Sequence, residues 1–355
     1  MKMKKLITLL LALAMVLSLA ACGSKDNSNA NNDSQGNGVT YKIKLGTTGN
    51  EEHQSTIAAN FFKEKVEELT NGAVTVEIYP NSQLGSEREM AEGVKLGTLE
   101  MTIVTTDGTL PAWVPETQVL SIPYLLTSKE VAYEVLDNTL QPYFAPLFEA
   151  QGFKHLAFCE LGFRHFTTNK REITCAADMK GQSIRVQEAP IWFALTDCLG
   201  ATATPVAFNE LYTALSQGMV DGQENPIPSI ASSKFYEVQK SISLTNHLVD
   251  SVWPTINLNT WNKLTDTQKG WVMEAVEAAR IACDEQIQTA IDEAAAYAGE
   301  QQRAAVSANE AAQLQQIKDA GVIVCEDPDI TSFQEATAEL YLRPEVQAIV
   351  SPELT

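Results

Sequence analysis

The sequence predicts an α/β protein with two lobes, and three observations support this fold class. Segments of alternating apolar residues and segments with helical spacing follow one another in β–α–β–α order from residue 40 onward, which indicates a parallel or mixed sheet. The order of a helix end, a glycine and an extended stretch in Gly93–Val104 recurs in Leu215–Asn225, as expected for two lobes of similar build. About 317 residues (355 minus 38) follow the N-terminal low-complexity region, a length typical of two domains.

The first lobe begins with a predicted strand in which Tyr41, Ile43 and Leu45 alternate with polar residues. The elements that follow are a helix at Gln54–Leu69, a strand at residues 74–78, a helix from Ser86 to Gly97 and a strand at Met101–Val104. Ligands of open α/β sheets bind beyond the carboxyl ends of the strands. We therefore expect the loops 47–53 and 105–108 to border a cleft, together with the helix start at Ser86-Glu87.

The second lobe is predicted to begin near Gly162, with strands at Phe166–Asn169 and Ser183–Val186 and a return near Asp250–Trp253. The segment Val206–Pro226 predicts a helix capped by Asn209 and ended by Gly218, followed by a polar turn at residues 223–225. Its amide groups suit a site for an oxygen-rich ligand. An ordinary helix and turn with solvated polar residues is the alternative that spacing alone leaves open.

The C-terminal third predicts one long helix. Thr265 and Gln268 form a capping box, and an apolar stripe then continues without Gly or Pro through Trp271–Ala298. A helix over residues 266–304 would be roughly 58 Å long, about twice the width of one small domain. We therefore expect it to project into solvent or to lie across both lobes.

The N-terminus predicts a lipoprotein signal. Lys2, Lys4 and Lys5 precede the apolar segment Leu6–Ala20, which is short for a membrane span. Residues 19–22, Leu-Ala-Ala-Cys, resemble a bacterial lipobox, so we expect cleavage before Cys22 and lipidation of its thiol. The Asn-, Ser- and Gly-rich residues that follow read as a flexible tether. This predicts an extracytoplasmic protein that is lipid-anchored to the bacterial cell membrane.

These features give a domain plan: a signal peptide at 1–21, a tether at 22–38, a first lobe at 39–161 and about 251–290, and a second lobe at 162–250 and about 291–345. The formal net charge of −20 argues against nucleic acid or an anionic membrane surface as a partner. It leaves a small anionic ligand possible, since a cleft can be locally positive.

The sequence carries little sign of enzyme chemistry. It contains no HExxH, Walker A, GxSxG or GxGxxG motif, and its four His residues are scattered. Five cysteines remain besides Cys22, without a CxxC pair. We expect them to be buried or unreactive thiols. One disulfide is the alternative, and the sequence does not define which cysteines it would join. We expect no enzyme activity, no metal and no cofactor.

Two arginines are the strongest binding candidates, because a guanidinium fits the two oxygens of a carboxylate. Arg185 lies in the strand Ser183–Val186, on the face opposite Ile184 and Val186, where it could instead be solvated on an open sheet. Arg164 lies where the chain enters the second lobe, either in the cleft or in a salt bridge between lobes. Phe208 could pack on a ligand or act as a hydrophobic staple.

Five segments together resemble the solute-binding proteins of TRAP transporters, in the branch that binds dicarboxylates and sugar acids. They are Asn81–Met101, Gly162–Ile173, Asp178–Pro190, Val206–Pro226 and Phe235–Leu264. The resemblance implies a periplasmic-binding-protein-like fold, with two lobes joined by a hinge, closure around the ligand and a long C-terminal helix spanning both lobes.

The resemblance also implies roles for particular residues. Arg185 would form the main salt bridge to a ligand carboxylate, supported by Asn225, while Arg164 would line the site and Phe208 would pack on the ligand. Glu87 falls where the first lobe often supplies a polar contact. Glu188 replaces an amide that is often found after the strand of Arg185. Further candidates, taken from the segments expected at the cleft edges, are His53, Gln54, Asp107 and Trp253.

We therefore expect a binding protein that captures an organic acid and delivers it to TRAP membrane subunits. A sugar acid is favoured over a C4-dicarboxylate, on the grounds of the polar groups at Gln54, Thr106 and Asp107. The alternatives are a binding protein of an ABC importer or of a sensor system, an extracellular enzyme on the same scaffold and an adhesive lipoprotein.

Overall fold

The computed structural model describes residues 41–69, 72, 74–156, 158–263 and 312–348. The described strands are β1 Tyr41–Gly46, β2 Val74–Tyr79, β3 Met101–Thr105, β4 Phe153–His155, β5 Cys159–Thr168, β6 Ser183–Val186, β7 Thr202–Pro205, β8 Gly222–Pro226, β9 Ser241–Ser243, β10 Val249–Asn257 and β11 Ile323–Cys325.

The described helices alternate with these strands through both halves of the chain. They are α1 Gln54–Leu69, α2 Glu87–Leu96, α3 Lys129–Val135, α4 Gln141–Ala150, α5 Pro190–Cys198, α6 Phe208–Ser216, α7 Ile227–Ser232, α8 Leu258–Lys263, α9 at residues 312–319, α10 Ile330–Thr337 and α11 Pro344–Gln347. Short 3-10 turns and a π-helical turn at Leu136–Leu140 connect some of them.

The strands form one mixed sheet in the order β2-β1-β3-β10-β5-β8-β6-β7. β1 is parallel to β2 and β3, and β6 is parallel to β7 and β8. Between these parallel parts, β10 is antiparallel to β3 and to β5, and β5 is antiparallel to β8. We call β1–β3 with α1 and α2 the first lobe, and β6–β8 with α6 and α7 the second lobe. The two long strands β5 and β10 connect them.

Local sequence explains the start and end of α2. The Ser86 side chain accepts from the Glu89 N–H, and the Glu89 carboxylate accepts from the Ser86 N–H, which completes a capping box. Gly97 ends the helix with a φ of 78°, a conformation that suits glycine. Met90, Ala91 and Val94 are buried against the sheet. The capped start places Glu87 at the carboxyl end of β3.

The segment Val206–Pro226 departs from two predictions. Ala207 rather than Asn209 is the N-cap of α6, and it makes no side-chain capping bond. The predicted turn at residues 223–225 is instead the fully buried strand β8. Its backbone pairs with β5, with Glu224 opposite Phe166 and Asn225 opposite His165. Polar composition suggested a turn, but here the polar groups have buried partners and no need of solvent.

Several predicted features lie outside the described residues. These are the signal peptide, Cys22, the tether and most of the predicted long helix, whose described flanks are α8 and α9. The domain boundaries therefore stay predictions. Cys175 and Cys325 are free thiols. Within the described ranges, no helix is both long and apolar enough to cross a membrane.

Candidate functional site

A cavity of about 110 Å³ lies between the two lobes, at the ends of β3, β6 and β8. Its size suits a small molecule rather than a polymer. The first lobe contributes Thr48, His53, Ser86, Glu87, Arg88, Thr105, Gly108 and Thr109; the second contributes Arg185, Gln187, Glu188, Val206, Ala207, Phe208, Asn225 and Ser229; and β5 contributes Leu161 and Arg164.

Arg185 presents an open guanidinium fork to this cavity. Its residue is only 3% exposed, and its Nε donates to the Val206 carbonyl oxygen at 2.8 Å. Among the described residues, no carboxylate forms an ion pair with it. Burial lowers the pKa of Arg185 to about 10 against the opposing effect of Glu224. A buried cation without a partner is unfavourable, and an anion would relieve that cost.

Arg164, by contrast, already has an acceptor at each of its three guanidinium nitrogens. Its Nε and Nη2 bind the Glu224 carboxylate, with Nη2 to Oε1 at 2.8 Å, and its Nη1 donates to Asp250 Oδ2. Nη2 also lies 2.7 Å from the Glu224 carbonyl oxygen and 3.2 Å from Asn225 Oδ1. We call Arg164, Glu224, Asn225 and Asp250 the Arg164 cluster. Its arginine lines the cavity while the carboxyl groups of Glu224 and Asp250 already accept its N–H bonds.

The acids around Arg164 do not titrate alike. Burial opposes ionisation of Glu224, but Arg164 and His247 together hold its pKa below the usual value. Burial raises the pKa of Asp250 to about 8, assisted by Asp107 and Glu224, although Arg164 acts in the opposite direction. Burial likewise raises the pKa of Asp107 to about 6. Burial therefore favours the protonated forms of Asp107 and Asp250, whereas Glu224 is the acid of this region whose ionised form is favoured.

Glu87 forms the opposite wall of the cavity with three threonines. Its Oε2 accepts from Thr105 Oγ1 at 2.7 Å and from Thr109 Oγ1 at 2.6 Å. Within the described part of the chain, its Oε1 has only a 3.4 Å contact, from Thr48 Oγ1. This wall therefore combines a carboxylate with hydroxyl groups, and one carboxylate oxygen has spare acceptor capacity.

Aromatic rings and an imidazole form a third side. The Phe208 ring packs edge-to-face against His53, with centroids 5.6 Å apart, and against Phe235 at 5.9 Å. His53 Nε2 lies 3.2 Å from Ser229 Oγ, and burial lowers the pKa of His53 to about 4. A neutral His53 adds no positive charge to the cavity at neutral pH.

Several contacts join the lobes around the cavity, as expected for a closed arrangement. Besides the His53 contacts, Asn50 Nδ2 donates to the Ser232 carbonyl oxygen at 2.8 Å. Arg88 and Glu188 form an ion pair at 3.7 Å at the mouth, where both side chains are more than half exposed. Gly108 lies so close to Gln187 that a Cβ at this glycine would stand 1.6 Å from the Gln187 Oε1.

Seven of the ten predicted ligand-binding residues line this cavity: His53, Glu87, Arg164, Arg185, Glu188, Phe208 and Asn225. Gln54 and Asp107 are buried behind its walls rather than lining it. Asp107 accepts from Ser121 Oγ at 2.9 Å, and Gln54 Oε1 has no hydrogen-bond partner within the described part of the chain. Trp253 lies in β10, where its backbone is opposite Val104 of β3. Thr106 also turns away, since its hydroxyl donates to the Ser251 carbonyl oxygen at 3.1 Å.

Sequence reasoning missed Glu224 and the three threonines. Glu224 lies in a segment that the sequence predicts to be a turn. The pairing of β8 with β5 brings it next to Arg164. Thr48, Thr105 and Thr109 belong to segments at or next to the predicted cleft edges. The sequence signal that could have revealed this hydroxyl-lined wall is Glu87, a carboxylate at the first position of α2 that lies near the end of β3.

Comparisons with known proteins agree with this architecture. The family model described as bacterial extracellular solute-binding protein, family 7, matches residues 45–284 and 282–346. A solute-binding protein of Verminephrobacter eiseniae is 38% identical over 244 residues, which are 68% of this chain and 72% of that protein.

Solved structures extend the similarity to the whole fold. A TRAP periplasmic solute-binding protein from Polaromonas sp. JS666, bound to D-erythronate, superposes with a TM-score of 0.79 at 35% identity, covering 88% of this chain and 96% of that one. A TRAP periplasmic solute-binding protein from Sulfurospirillum deleyianum, with bound succinate, gives 0.77 at 26% identity, covering 89% and 97%.

These similarities confirm the predicted two-lobe α/β fold and the expectation of a binding protein rather than an enzyme. They favour a TRAP system over an ABC importer. The chain belongs to the extracytoplasmic solute-binding proteins of TRAP transporters, family 7 of the bacterial extracellular solute-binding proteins.

Proposed function

We propose that this protein captures a small organic acid, a sugar acid or a C4-dicarboxylate, by closing its two lobes around the ligand carboxylate. The observation that carries the proposal is the open fork of Arg185, a buried guanidinium that faces the cavity without an ion-pair partner in the described structure. A carboxylate would accept two parallel N–H bonds from this fork and neutralise its charge.

The neighbouring residues support this role in different ways. Arg164 would act as a positioning residue, because its hydrogen bond to Asn225 holds that side chain at the cavity wall. Phe208 and His53 would cover the carbon skeleton of the ligand, and Glu87 would meet its polar groups. Glu188 would contribute at the mouth through its ion pair with Arg88.

The ligands of the related structures support an organic acid. D-erythronate in the Polaromonas protein is a sugar acid, and succinate in the Sulfurospirillum protein is a C4-dicarboxylate. Both have a carboxylate and at most a few polar groups beyond it, which fits the size of this cavity. The two ligand classes left open by the sequence are therefore both represented among close folds.

The proposal includes delivery and location. The loaded, closed form would dock on TRAP membrane subunits, which release the acid into the transport pathway. The lipobox-like residues 19–22 support attachment of the protein through a lipid on Cys22, with residues 23–38 as a tether that lets the lobes reach the membrane subunits.

A thermal-shift screen tests this function with matched pairs of acids and alcohols. D-galactonate and galactitol share their hydroxyl groups but differ in the carboxylate, and so do D-erythronate and erythritol. A ligand at 100 times its Kd stabilises the folded state by about 2.7 kcal/mol. We expect at least one acid from a panel of sugar acids and dicarboxylates to raise the unfolding temperature, while its matched alcohol does not. Equal stabilisation by acid and alcohol, or no response to any acid, would contradict the proposal.

A further inference from the structure

We propose that Glu87 makes the cavity selective for acids with one carboxylate and a hydroxyl group at the opposite end, and that it excludes acids with a second carboxylate there. This inference rests on the proposed function and narrows its ligand class. It follows from the number of cationic side chains in the cavity that can still pair with a ligand carboxylate, from the hydrogen bonds of Glu87 and from the chemical difference between monoacids and diacids.

The described cavity offers one open cation to a ligand. All three guanidinium nitrogens of Arg164 already donate to Glu224, Asp250 or Asn225, so a second ligand carboxylate would compete with these buried acceptors. Arg88 lies at the mouth, where its side chain is 57% exposed and already faces Glu188. Solvent weakens a contact of this kind. Arg185 is therefore the strong anchor, and it has room for one carboxylate.

The wall opposite Arg185 requires a donor from the ligand. An ionised carboxylate such as Glu87 accepts hydrogen bonds and donates none. Thr105 and Thr109 already donate hydrogen bonds to Oε2, whereas among the described residues Oε1 has only the long contact from Thr48. Glu87 also lies close enough to Arg185 to act on it electrostatically. A ligand held by Arg185 therefore presents its far end to an acceptor with spare capacity.

A hydroxyl group and a carboxylate differ sharply in this position. A ligand O–H would donate to Glu87 Oε1, and its oxygen could accept from Thr48 Oγ1, whose contact with Glu87 is long. A second ligand carboxylate has no hydrogen to donate, and two negative groups would meet in a confined space. Such a contact acts against the wrong ligand rather than for the right one, which is a recognised route to specificity.

Calorimetry with pairs of acids that differ only at the far end tests the inference. D-erythronate and meso-tartrate form one pair, D-galactonate and galactarate another, since each diacid replaces a terminal CH₂OH by a carboxylate. We expect the wild-type protein to bind the monoacid of a pair at least about tenfold more tightly than the diacid. Glu87→Gln keeps the shape and supplies an N–H donor, so it should reduce this preference by about tenfold.

Glu92→Gln is the matched control, because it removes the same charge from the exposed face of α2 and should leave the preference unchanged. Unfolding curves of the three proteins show whether each variant is folded. A diacid that binds the wild-type protein as tightly as its monoacid overturns the inference but leaves the proposed function standing. A Glu87→Gln variant that keeps the wild-type preference for the monoacid has the same consequence. Failure of all four acids and of the wider acid panel overturns both.

Discussion

Arg164 and Arg185 reach the same cavity, but their surroundings give them different tasks. Arg164 is enclosed by Glu224 and Asp250, so its charge stabilises the junction of β5, β8 and β10. Arg185 keeps its fork open towards the cavity. The sequence identified both arginines as candidates, yet could not separate their roles, because the acids that occupy Arg164 are 60 and 86 residues away along the chain.

Glu224→Gln tests the structural task of the Arg164 cluster. The substitution removes the carboxylate that accepts from both Nε and Nη2 of Arg164, and breaking a buried ion pair costs on the order of 3–5 kcal/mol. We expect a loss near the lower end of that range, measured as the free energy of unfolding in urea, because the Gln side-chain oxygen can still accept a hydrogen bond from Arg164. Glu210→Gln, on the exposed side of α6, is the charge-matched control. Equal stability of the two variants would show that Glu224 does not stabilise the fold.

At the scale of elements, β8 explains what sequence patterns could and could not predict. The αβ order, the helix α2 with its cap and glycine stop, and the strand of Arg185 were all readable from local periodicity. β8 was not, because its residues Gly222–Pro226 are polar and resemble a turn. Its strand state depends on pairing with β5 and on buried polar partners, which are contacts between segments distant in sequence.

Gly222→Ala tests how closely β8 must approach β5. A Cβ at Gly222 would stand 2.1 Å from the Thr167 carbonyl oxygen, so the strands must separate, at a cost of about 1–3 kcal/mol. Affinity for the acid should also fall, because Asn225 lies on the displaced strand. Gly218→Ala is a useful comparison, since it introduces only backbone strain at a φ of 66° in open space. A Gly222→Ala variant that matches Gly218→Ala in both stability and affinity would refute the close-approach argument.

At the scale of the whole molecule, the buried acids make stability depend on pH. Burial raises the pKa of Asp250 to about 8, whereas an aspartate in the unfolded chain titrates near pH 3.9. Between these values the folded state holds the proton more firmly, so the Asp250 contribution to stability falls as pH rises from about 4 to 8. The buried histidines act in the opposite direction below about pH 6.5, because burial lowers the pKa of His53 and His165 to about 4 and about 3.

A comparison with Asp250→Asn tests the effect of Asp250 together with its coupling to Asp107, because the amide cannot titrate and the histidines are common to both proteins. We expect the unfolding temperature of the wild-type protein, relative to that of Asp250→Asn, to decrease from pH 5 to pH 8 and then to level off. Thermal unfolding followed by circular dichroism measures this difference. A difference that is constant or increasing over that range would mean that Asp250 is ionised throughout.

The central claim is that Arg185 is the anchor for the carboxylate of the ligand, and isothermal titration calorimetry tests it most directly. The titration uses the acid that stabilises the wild-type protein most, with wild type, Arg185→Lys and Arg185→Ala compared side by side. We predict that Arg185→Ala loses on the order of 3–5 kcal/mol of binding free energy, and that Arg185→Lys recovers part of it because it restores the charge without the fork. The ligand-free Arg185→Ala protein should unfold at a temperature no lower than wild type, since it lacks an unpaired buried charge. An unchanged affinity in a folded Arg185→Ala protein would contradict the account.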